Sequence, residues 1–218
     1  MEDLNFTRRR SPWAMLFIIT IAYSMGGCGF IANQPLEVSL TPKVFTPSIN
    51  IGRGTNIFLS VLDQRTEKLL GYRWDVANWQ GLGLEVRGTI SASEDVAEVI
   101  QKSLKDGLTS LGFVTLAAPD PSAHRLEFTV QHLRYSGLNR GRSAPASIPL
   151  QVDFNAIIVG KVYEGDTPLY EKSYDYSSPQ YWWGLIHRSY FEENFNAALS
   201  DLIGQLLTDL ELIKALRE

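Results

Sequence analysis

The sequence predicts an α+β domain built as a two-layer sandwich, in which a mostly antiparallel sheet carries two amphipathic helices on one face. Two kinds of pattern lead to this prediction. Apolar residues recur at three- and four-residue spacing in residues 96–111 and again in residues 191–213. Several other segments alternate apolar and polar residues, as half-buried strands do, and glycine- or proline-containing turns separate them. Neither a repeat nor a second domain is evident.

Composition narrows the class of protein. The chain has 218 residues, of which 44% are hydrophobic and 20% charged, so one domain with a packed core is expected. Its formal net charge is −4; removing residues 1–27 takes away three arginines and two carboxylates and shifts this charge to −5. An acidic body argues against nucleic acid as a partner. A single cysteine excludes an internal disulfide and every cysteine-rich metal site.

The N-terminal segment has the pattern of a bacterial lipoprotein signal peptide. Three arginines at residues 8–10 precede about ten apolar residues, well short of the ~20 that a spanning helix needs. The run ends in Met25-Gly26-Gly27-Cys28, which resembles a lipobox with Met25 in the place of the preferred leucine. This resemblance implies cleavage before Cys28, a diacylglyceryl group on its thiol and an acyl chain on its new amino group. We predict no other cofactor.

Other interpretations of this segment stay open at this stage. It also fits an uncleaved anchor, the signal peptide of a non-lipidated secreted protein, or a buried apolar strand. Gly29 stands where an aspartate would resemble an inner-membrane retention signal. We therefore predict the periplasmic face of the outer membrane, with the lipid bilayer as a partner through the acyl chains on Cys28.

Three parts of the chain follow from these patterns. Residues 1–27 are predicted to be the lipoprotein signal peptide, residues 28–55 the lipidated N terminus and tether, and residues 56–218 a single periplasmic α+β domain. The tether is interrupted by prolines and glycines and lacks helical periodicity, although alternation over residues 36–40 allows an edge strand.

The domain begins with a strand and a helix that have clear local signals. Residues 56–62 are rich in β-forming residues and are predicted to be the first core strand. A helix is predicted to open at Ser93, whose hydroxyl would cap it. Gly112 is predicted to end the helix in the left-handed conformation, with Phe113 folding back into the next strand.

The remaining elements are three strands and a final helix. The alternation of residues 125–131 changes phase at Leu133, which predicts a bulge near His132. Residues 150–158 and 169–176 predict an antiparallel hairpin. In the final helix, Ser189 and Glu192 have the spacing of a capping box, and one apolar stripe continues to residue 213.

Short motifs along the chain resemble the YajG family of proteobacterial lipoproteins. They are Val-Leu-Asp-Gln-Arg-Thr at residues 61–66, Leu-Gly-Tyr at 70–72, Leu-Gly-Phe at 111–113, Lys-Ser-Tyr at 172–174 and the C-terminal helix. The resemblance covers most of residues 28–215. It implies an envelope lipoprotein and supplies no biochemical mechanism.

The cluster Asp63-Gln64-Arg65 stands directly beyond the first core strand and has two interpretations. As a binding site, Arg65 would hold an anionic group that Gln64 or Asp63 orients. As a structural feature, Asp63 and Arg65 would pair with each other and satisfy the strand end. The second is favoured because a strand end leaves backbone groups that need partners.

Two aromatic segments give a further hypothesis. Tryptophan and tyrosine at Trp74, Trp79, Tyr181, Trp182 and Trp183 could stack on glycan rings, enter a membrane interface or bind a protein partner. They could equally cover the ends of a small core. The three histidines lie apart, without metal-ligand spacing, and we predict no metal site.

No nucleophile elbow, phosphate loop or zinc-helix motif is present. We therefore predict a non-enzymatic accessory or binding module of the cell envelope, with an envelope protein or cell-wall glycan as its second partner. The alternative is a module that binds cell-wall glycan or lipid through the aromatic segments.

Overall fold

The computed structural model describes residues 35–44, 50–74, 87–137, 150–182 and 188–218. In these ranges the chain forms eight strands and three helices. In chain order they are β1 (Leu36–Val38), β2 (Asn56–Asp63), β3 (Gly71–Trp74), β4 (Arg87–Ala92), α1 (Val96–Ser110), β5 (Val114–Leu116), β6 (His124–Gly137), β7 (Leu150–Glu164), β8 (Thr167–Trp182), α2 (Arg188–Thr208) and α3 (Leu210–Ala215).

The strands form one curled, mixed sheet that resembles half of a barrel, so the predicted two-layer sandwich with a mostly antiparallel sheet is wrong. Four of the seven pairings among the described strands are parallel, namely β1–β4, β2–β5, β2–β6 and β3–β6. The other three are antiparallel. Alternation shows which face of a strand is buried and carries no information about the direction of its neighbour, which is why the sequence misled here.

Strand β6 is the centre of the sheet because it pairs with β7 along one edge and with both β2 and β3 along the other. Antiparallel β7 occupies the first edge along the whole of β6. On the second edge, β2 pairs with residues 124–130 and β3 joins only at Tyr135, opposite Gly71. A bulge between Val130 and His132 lies at the change from one partner to the other, as the sequence predicted.

The concave face of the sheet holds the core, and the helices pack into it. In β2, in residues 124–135 of β6 and in residues 153–163 of β7, buried residues alternate with more exposed ones, and the alternation changes phase at the bulge. The long helix α2 contacts both β1 and β8, which are far apart in the strand order. Helix α1 approaches α2 closely at Gly107, where a Cβ would collide with Leu207.

Helix α1 ends as predicted and begins differently. Gly112 has φ +87°, Phe113 N–H donates to Leu108 O at 3.0 Å, and Gly112 N–H donates to Thr109 O at 3.0 Å. This is the Schellman arrangement. The predicted cap Ser93 is wrong, because Asp95 accepts hydrogen bonds from the first-turn N–H groups. The Ser93 hydroxyl instead donates to Val38 O at 3.1 Å in β1.

The last predicted helix is divided into two. Ser189 lies inside α2, and Glu192 accepts a hydrogen bond from Ser39 N–H at 3.0 Å, so the predicted capping box is wrong. Helix α2 ends at Thr208, and Asp209 caps the short helix α3. The β7–β8 hairpin and the strand over residues 56–62 are confirmed.

The edge strand allowed by residues 36–40 is confirmed as β1, and the residues after it are attached to α2. Glu192, Asn196 and Ser200 accept hydrogen bonds from the backbone N–H groups of residues 39, 41 and 43 at 3.0, 2.6 and 2.9 Å. Four helical residues rise about 6.0 Å and two extended residues about 6.6 Å, so the two spacings match. We call this arrangement the helix–strand ladder.

We expect Gly112→Ala to lower the free energy of unfolding by at least about 2 kcal/mol. The left-handed conformation costs a side chain about 1–2 kcal/mol, and the new Cβ would also collide with the Asn50 side chain. Gly165→Ala is the matched control, because Gly165 has φ +59° and open space around it. Urea unfolding of both variants measures the difference. Equal losses would contradict the role of the Asn50 contact.

Candidate functional site

Asp63 and Arg65 form an ion pair at the end of β2. Arg65 Nε donates to Asp63 Oδ1 at 2.9 Å, and Arg65 Nη2 donates to Asp63 Oδ2 at 2.8 Å. Arg65 N–H also donates to Asp63 Oδ1, at 3.1 Å. Only 4% of the Arg65 side chain is exposed and 11% of that of Asp63. The pair is therefore largely buried, and the guanidinium and the carboxylate contact each other through two parallel hydrogen bonds, in bidentate geometry.

This pair fills the space between β2 and β3 on the shared edge of β6. Arg65 Nη1 donates to Leu133 O at 3.4 Å, and Gln64 N–H donates to Val130 O at 3.0 Å. These carbonyls flank the bulge at the transition between the two partner strands. Tyr135 N–H donates to Leu70 O at 2.6 Å, just before β3 begins. The hydrogen bond from Arg65 therefore reaches β6 between the residues that pair with β2 and Tyr135.

The electrostatics of the pair keep Asp63 ionised. Burial acts to raise the pKa of Asp63, but hydrogen bonds from Arg65 and Lys68 outweigh it and hold the pKa at about 2. Lys68 lies at the outer side, with its Nζ 3.1 Å from Asp63 Oδ2. Each guanidinium nitrogen of Arg65 already donates one hydrogen bond, and the side chain is only 4% exposed, so an anionic ligand has little access to it. Gln64 is exposed. Ligand contact at Asp63, Gln64 and Arg65 stays a prediction.

We expect Arg65→Ala to lower the free energy of unfolding by about 3 kcal/mol, because it leaves a largely buried carboxylate without its main partner. Arg134→Ala is the control. Its ion pair with Glu67 is substantially exposed on both sides, and we expect a loss of at most about 1 kcal/mol. Chemical denaturation measures both. If Arg65→Ala keeps wild-type stability and loses a cellular function, the structural role is contradicted and the binding role is supported.

A second buried carboxylate, Asp209, lies where α2 gives way to α3. Its Oδ2 accepts hydrogen bonds from Tyr170 Oη at 3.1 Å, Tyr174 Oη at 3.0 Å and Lys172 Nζ at 2.7 Å. Its Oδ1 accepts from the N–H groups of Glu211 and Leu212 at 2.9 and 3.2 Å. One side chain therefore caps a helix and joins it to β8.

The protonation states in this cluster are fixed around neutral pH. Burial acts to raise the pKa of Asp209, but hydrogen bonds from Lys172, Leu212 N–H and Tyr174 outweigh it and hold the pKa at about 2. The hydrogen bond to Asp209 raises the pKa of Lys172, and burial raises the pKa of Tyr170 and Tyr174. An open cleft of about 570 Å³ lies beside these side chains. None of the four has a pKa near neutrality that would suit it to exchange a proton with a molecule in the cleft.

Sequence reasoning missed the Asp209 cluster. One local signal was available, since Asp209 followed by Leu-Glu in the middle of an apolar stripe is typical of a new helix start. The partners were not accessible from local pattern, because they lie 35 to 39 residues earlier in the chain.

We expect Asp209→Asn to lower stability by about 2 kcal/mol at pH 7 and much less near pH 2. The pKa of Asp209 is lower in the folded than in the unfolded chain, so its contribution is present above about pH 4 and is lost as the pH falls towards 2. Asparagine keeps the α3 cap. Asp209→Ala should therefore cost about 1 kcal/mol more. Urea unfolding at several pH values measures both variants, and a pH-independent difference between wild type and Asp209→Asn would contradict the assignment.

The other predicted site residues are spread over the chain. Cys28, Trp79 and Trp183 lie outside the described residues. Trp74 is the last residue of β3, and Tyr181 and Trp182 end β8. Where the structure describes the chain, no three His, Cys, Asp or Glu side chains gather in a way that could hold a metal ion. The structure brings together Asp63 and Arg65, and the aromatic segments stay a prediction.

Comparison with known proteins identifies the family to which the chain belongs. A family model described as an uncharacterized lipoprotein, Lipoprotein_16, matches residues 42–217. The chain therefore belongs to this YajG-type lipoprotein family, and the resemblance seen in the short motifs is confirmed. No curated protein matches the sequence.

One of two similar solved structures supports the fold. The protein XCC0632 from Xanthomonas campestris has a TM-score of 0.52 at 10% identity, over 78% of this chain and 91% of that one. A minor lipoprotein from Acinetobacter baumannii has a TM-score of 0.43 at 12% identity, over 72% of this chain and 92% of that one. Only the likeness to XCC0632, whose TM-score is 0.52, bears on the fold, and at such identities neither likeness bears on function.

Proposed function

We propose that this protein is a lipid-anchored module of the bacterial envelope, held by acyl chains on Cys28 at the periplasmic face of the outer membrane. The folded domain acts there as a non-enzymatic accessory or binding module. The observation that carries this proposal is membership of a lipoprotein family in a chain whose single cysteine follows an apolar run and two glycines.

The way the chain enters the fold supports an anchored domain. Strand β1 begins at Leu36, eight residues after Cys28, and the helix–strand ladder fixes the following residues to α2. A domain held from β1 onwards stays within a short distance of its lipid. No helix within the described ranges is both long and apolar enough to span a bilayer.

The state of two buried carboxylates bears on whether they could act in acid–base catalysis. Asp63 and Asp209 are ionised, paired and engaged in holding strands and helices together. Groups used in this way stabilise the fold instead of exchanging protons with a substrate. Neither Asp63 nor Asp209 is therefore a candidate general acid or base.

We expect Cys28→Ser to abolish incorporation of labelled palmitate and to leave an uncleaved precursor, because the serine hydroxyl cannot take the place of the thiolate in lipid transfer. Metabolic labelling and intact-mass measurement check this outcome, and density-gradient fractionation of the wild type locates it among the membranes. Palmitate labelling of Cys28→Ser, or a wild-type mass that retains residues 1–23, would overturn the anchor.

The proposed accessory role is tested by looking for a protein partner in the envelope. Crosslinking of intact envelopes, followed by affinity purification of wild type and Cys28→Ser, should recover a stoichiometric envelope partner from the wild type alone. The serine variant is the control because it leaves the folded domain unchanged and, as an unprocessed precursor, lacks the acyl chains. Recovery of the same partner from both proteins would mean that the acyl chains do not contribute to the interaction.

A further inference from the structure

The open cleft beside Asp209 runs along an edge of β8. It is lined by four consecutive residues of this strand, 172–175, and by residues at the junction of α2 and α3. Successive side chains of a strand point to opposite faces of the sheet. Tyr174 is buried in the core on the concave face, whereas Ser173 and Asp175 are exposed. Because residues of both kinds line the cleft, the cleft meets the strand at its edge.

This edge is the one that β7 does not occupy. Residues 170–182 of β8 pair with residues 150–162 of β7 in antiparallel register without a shift. Within the described ranges of the chain, β8 has no second partner strand. A strand edge without a partner presents backbone N–H and C=O groups to whatever lies beside it. Part of the wall of the cleft is therefore the free edge of a sheet.

The register identifies the residues whose backbone groups face the cleft. In an antiparallel strand, successive residues direct their N–H and C=O groups to opposite edges. Pro179 is opposite Asp153 and has no N–H to give to β7, so it occupies a position that faces the free edge. Counting back from Pro179 in steps of two, Asp175 and Ser173 face the same edge. The cleft thus offers two N–H and two C=O groups to an added strand.

The side chains around the cleft are acidic and include one exposed apolar residue. Lys172 and Asp209 form an ion pair at 2.7 Å, so their charges offset each other. Asp175 and Glu211 also line the cleft, are exposed, and form no ion pair within the described ranges. Leu210, which lines the cleft between Asp209 and Glu211, is 79% exposed. The cleft therefore combines a free strand edge with negative charge and an apolar contact.

We propose that the cleft binds an extended segment of a partner protein as an added strand, and that this segment carries lysine or arginine beside an apolar side chain. Backbone hydrogen bonds to Ser173 and Asp175 hold the segment, as in other proteins that bind peptides at a sheet edge. Asp175 and Glu211 favour a basic segment, and Leu210 contacts its apolar side chain. This proposal rests on the binding role proposed for the domain.

A short basic peptide tests the cleft directly. The probe is a labelled peptide of sequence Lys-Val-Lys-Val-Lys, which spans about 17 Å when extended. It is titrated with the full chain in a non-ionic detergent and followed by fluorescence anisotropy. We expect saturable binding of one peptide per protein. Hydrogen exchange measured by NMR should slow at least about tenfold at the N–H groups of Ser173 and Asp175, and stay unchanged at Tyr174, which faces β7.

Proline variants test the backbone contacts. Ser173→Pro removes one N–H from the free edge inside the cleft and leaves the pairing with β7 intact, so we expect the Kd of the probe to rise at least about fivefold. Ser177→Pro is the matched control, because Ser177 faces the same edge and does not line the cleft. Circular dichroism and the urea midpoint establish that both variants are folded.

Charge variants test the choice of a basic segment. Asp175→Asn combined with Glu211→Gln removes the two carboxylates that have no ion-pair partner, and we expect the Kd of the probe to rise at least about fivefold. Glu98→Gln combined with Asp106→Asn is the matched control, because it makes the same change of charge on the exposed side of α1, away from the cleft. The control should bind the probe like the wild type.

The outcomes separate the cleft from the proposed anchor. The titration does not need a membrane, whereas the mass of the Cys28 peptide reports acylation, so either can fail alone. Absence of saturable binding overturns the cleft proposal, and so does equal binding of Glu-Val-Glu-Val-Glu. Unchanged hydrogen exchange in the saturated complex overturns strand addition. A dimer that forms with rising protein concentration and is dissociated by the probe would assign the edge to a second copy of the chain and overturn the proposed partner.

Discussion

The fold depends on one edge of β6 being shared by two strands that run in the same direction as β6 and follow each other in the chain. Strand β2 leaves that edge at the bulge, and β3 reaches it five residues later, at Tyr135. A gap of this kind would expose backbone acceptors inside the protein. The Asp63–Arg65 pair closes it, because the same guanidinium holds the carboxylate of its own turn and a carbonyl of β6.

The motifs that carry the family resemblance coincide with the points at which the elements are joined. Asp63 and Arg65 lie at the junction just described, and Gly71 lies so close to Tyr135 O that a Cβ would collide with it. Gly112 closes the Schellman arrangement after α1. Lys172 and Tyr174 bond Asp209 and so connect β8 with the end of α2. In this chain the motifs thus lie at the points where the sheet and the helices are connected.

Features determined by neighbouring residues could be predicted, and features determined by distant ones could not. The left-handed Gly112, the bulge near His132 and the β7–β8 hairpin all have signals within a few residues. Ser93 and Asp95 both fit a helix cap, and the choice between them is made by Val38 in β1, which engages the Ser93 hydroxyl. The mixed direction of the sheet and the Asp209 cluster likewise depend on contacts across the chain.

The helix–strand ladder has a mechanical consequence for the proposed lipid anchor on the N-terminal side of β1. A pull on the N terminus acts along β1 and along the axis of α2, so the ladder bonds and the β1–β4 bonds are loaded together in shear. Bonds loaded in this way share the force and must fail together, whereas bonds at a strand end pulled sideways fail one at a time. Tension from the proposed anchor would thus pass through β1 into α2, with the load shared between the ladder bonds and the β1–β4 bonds.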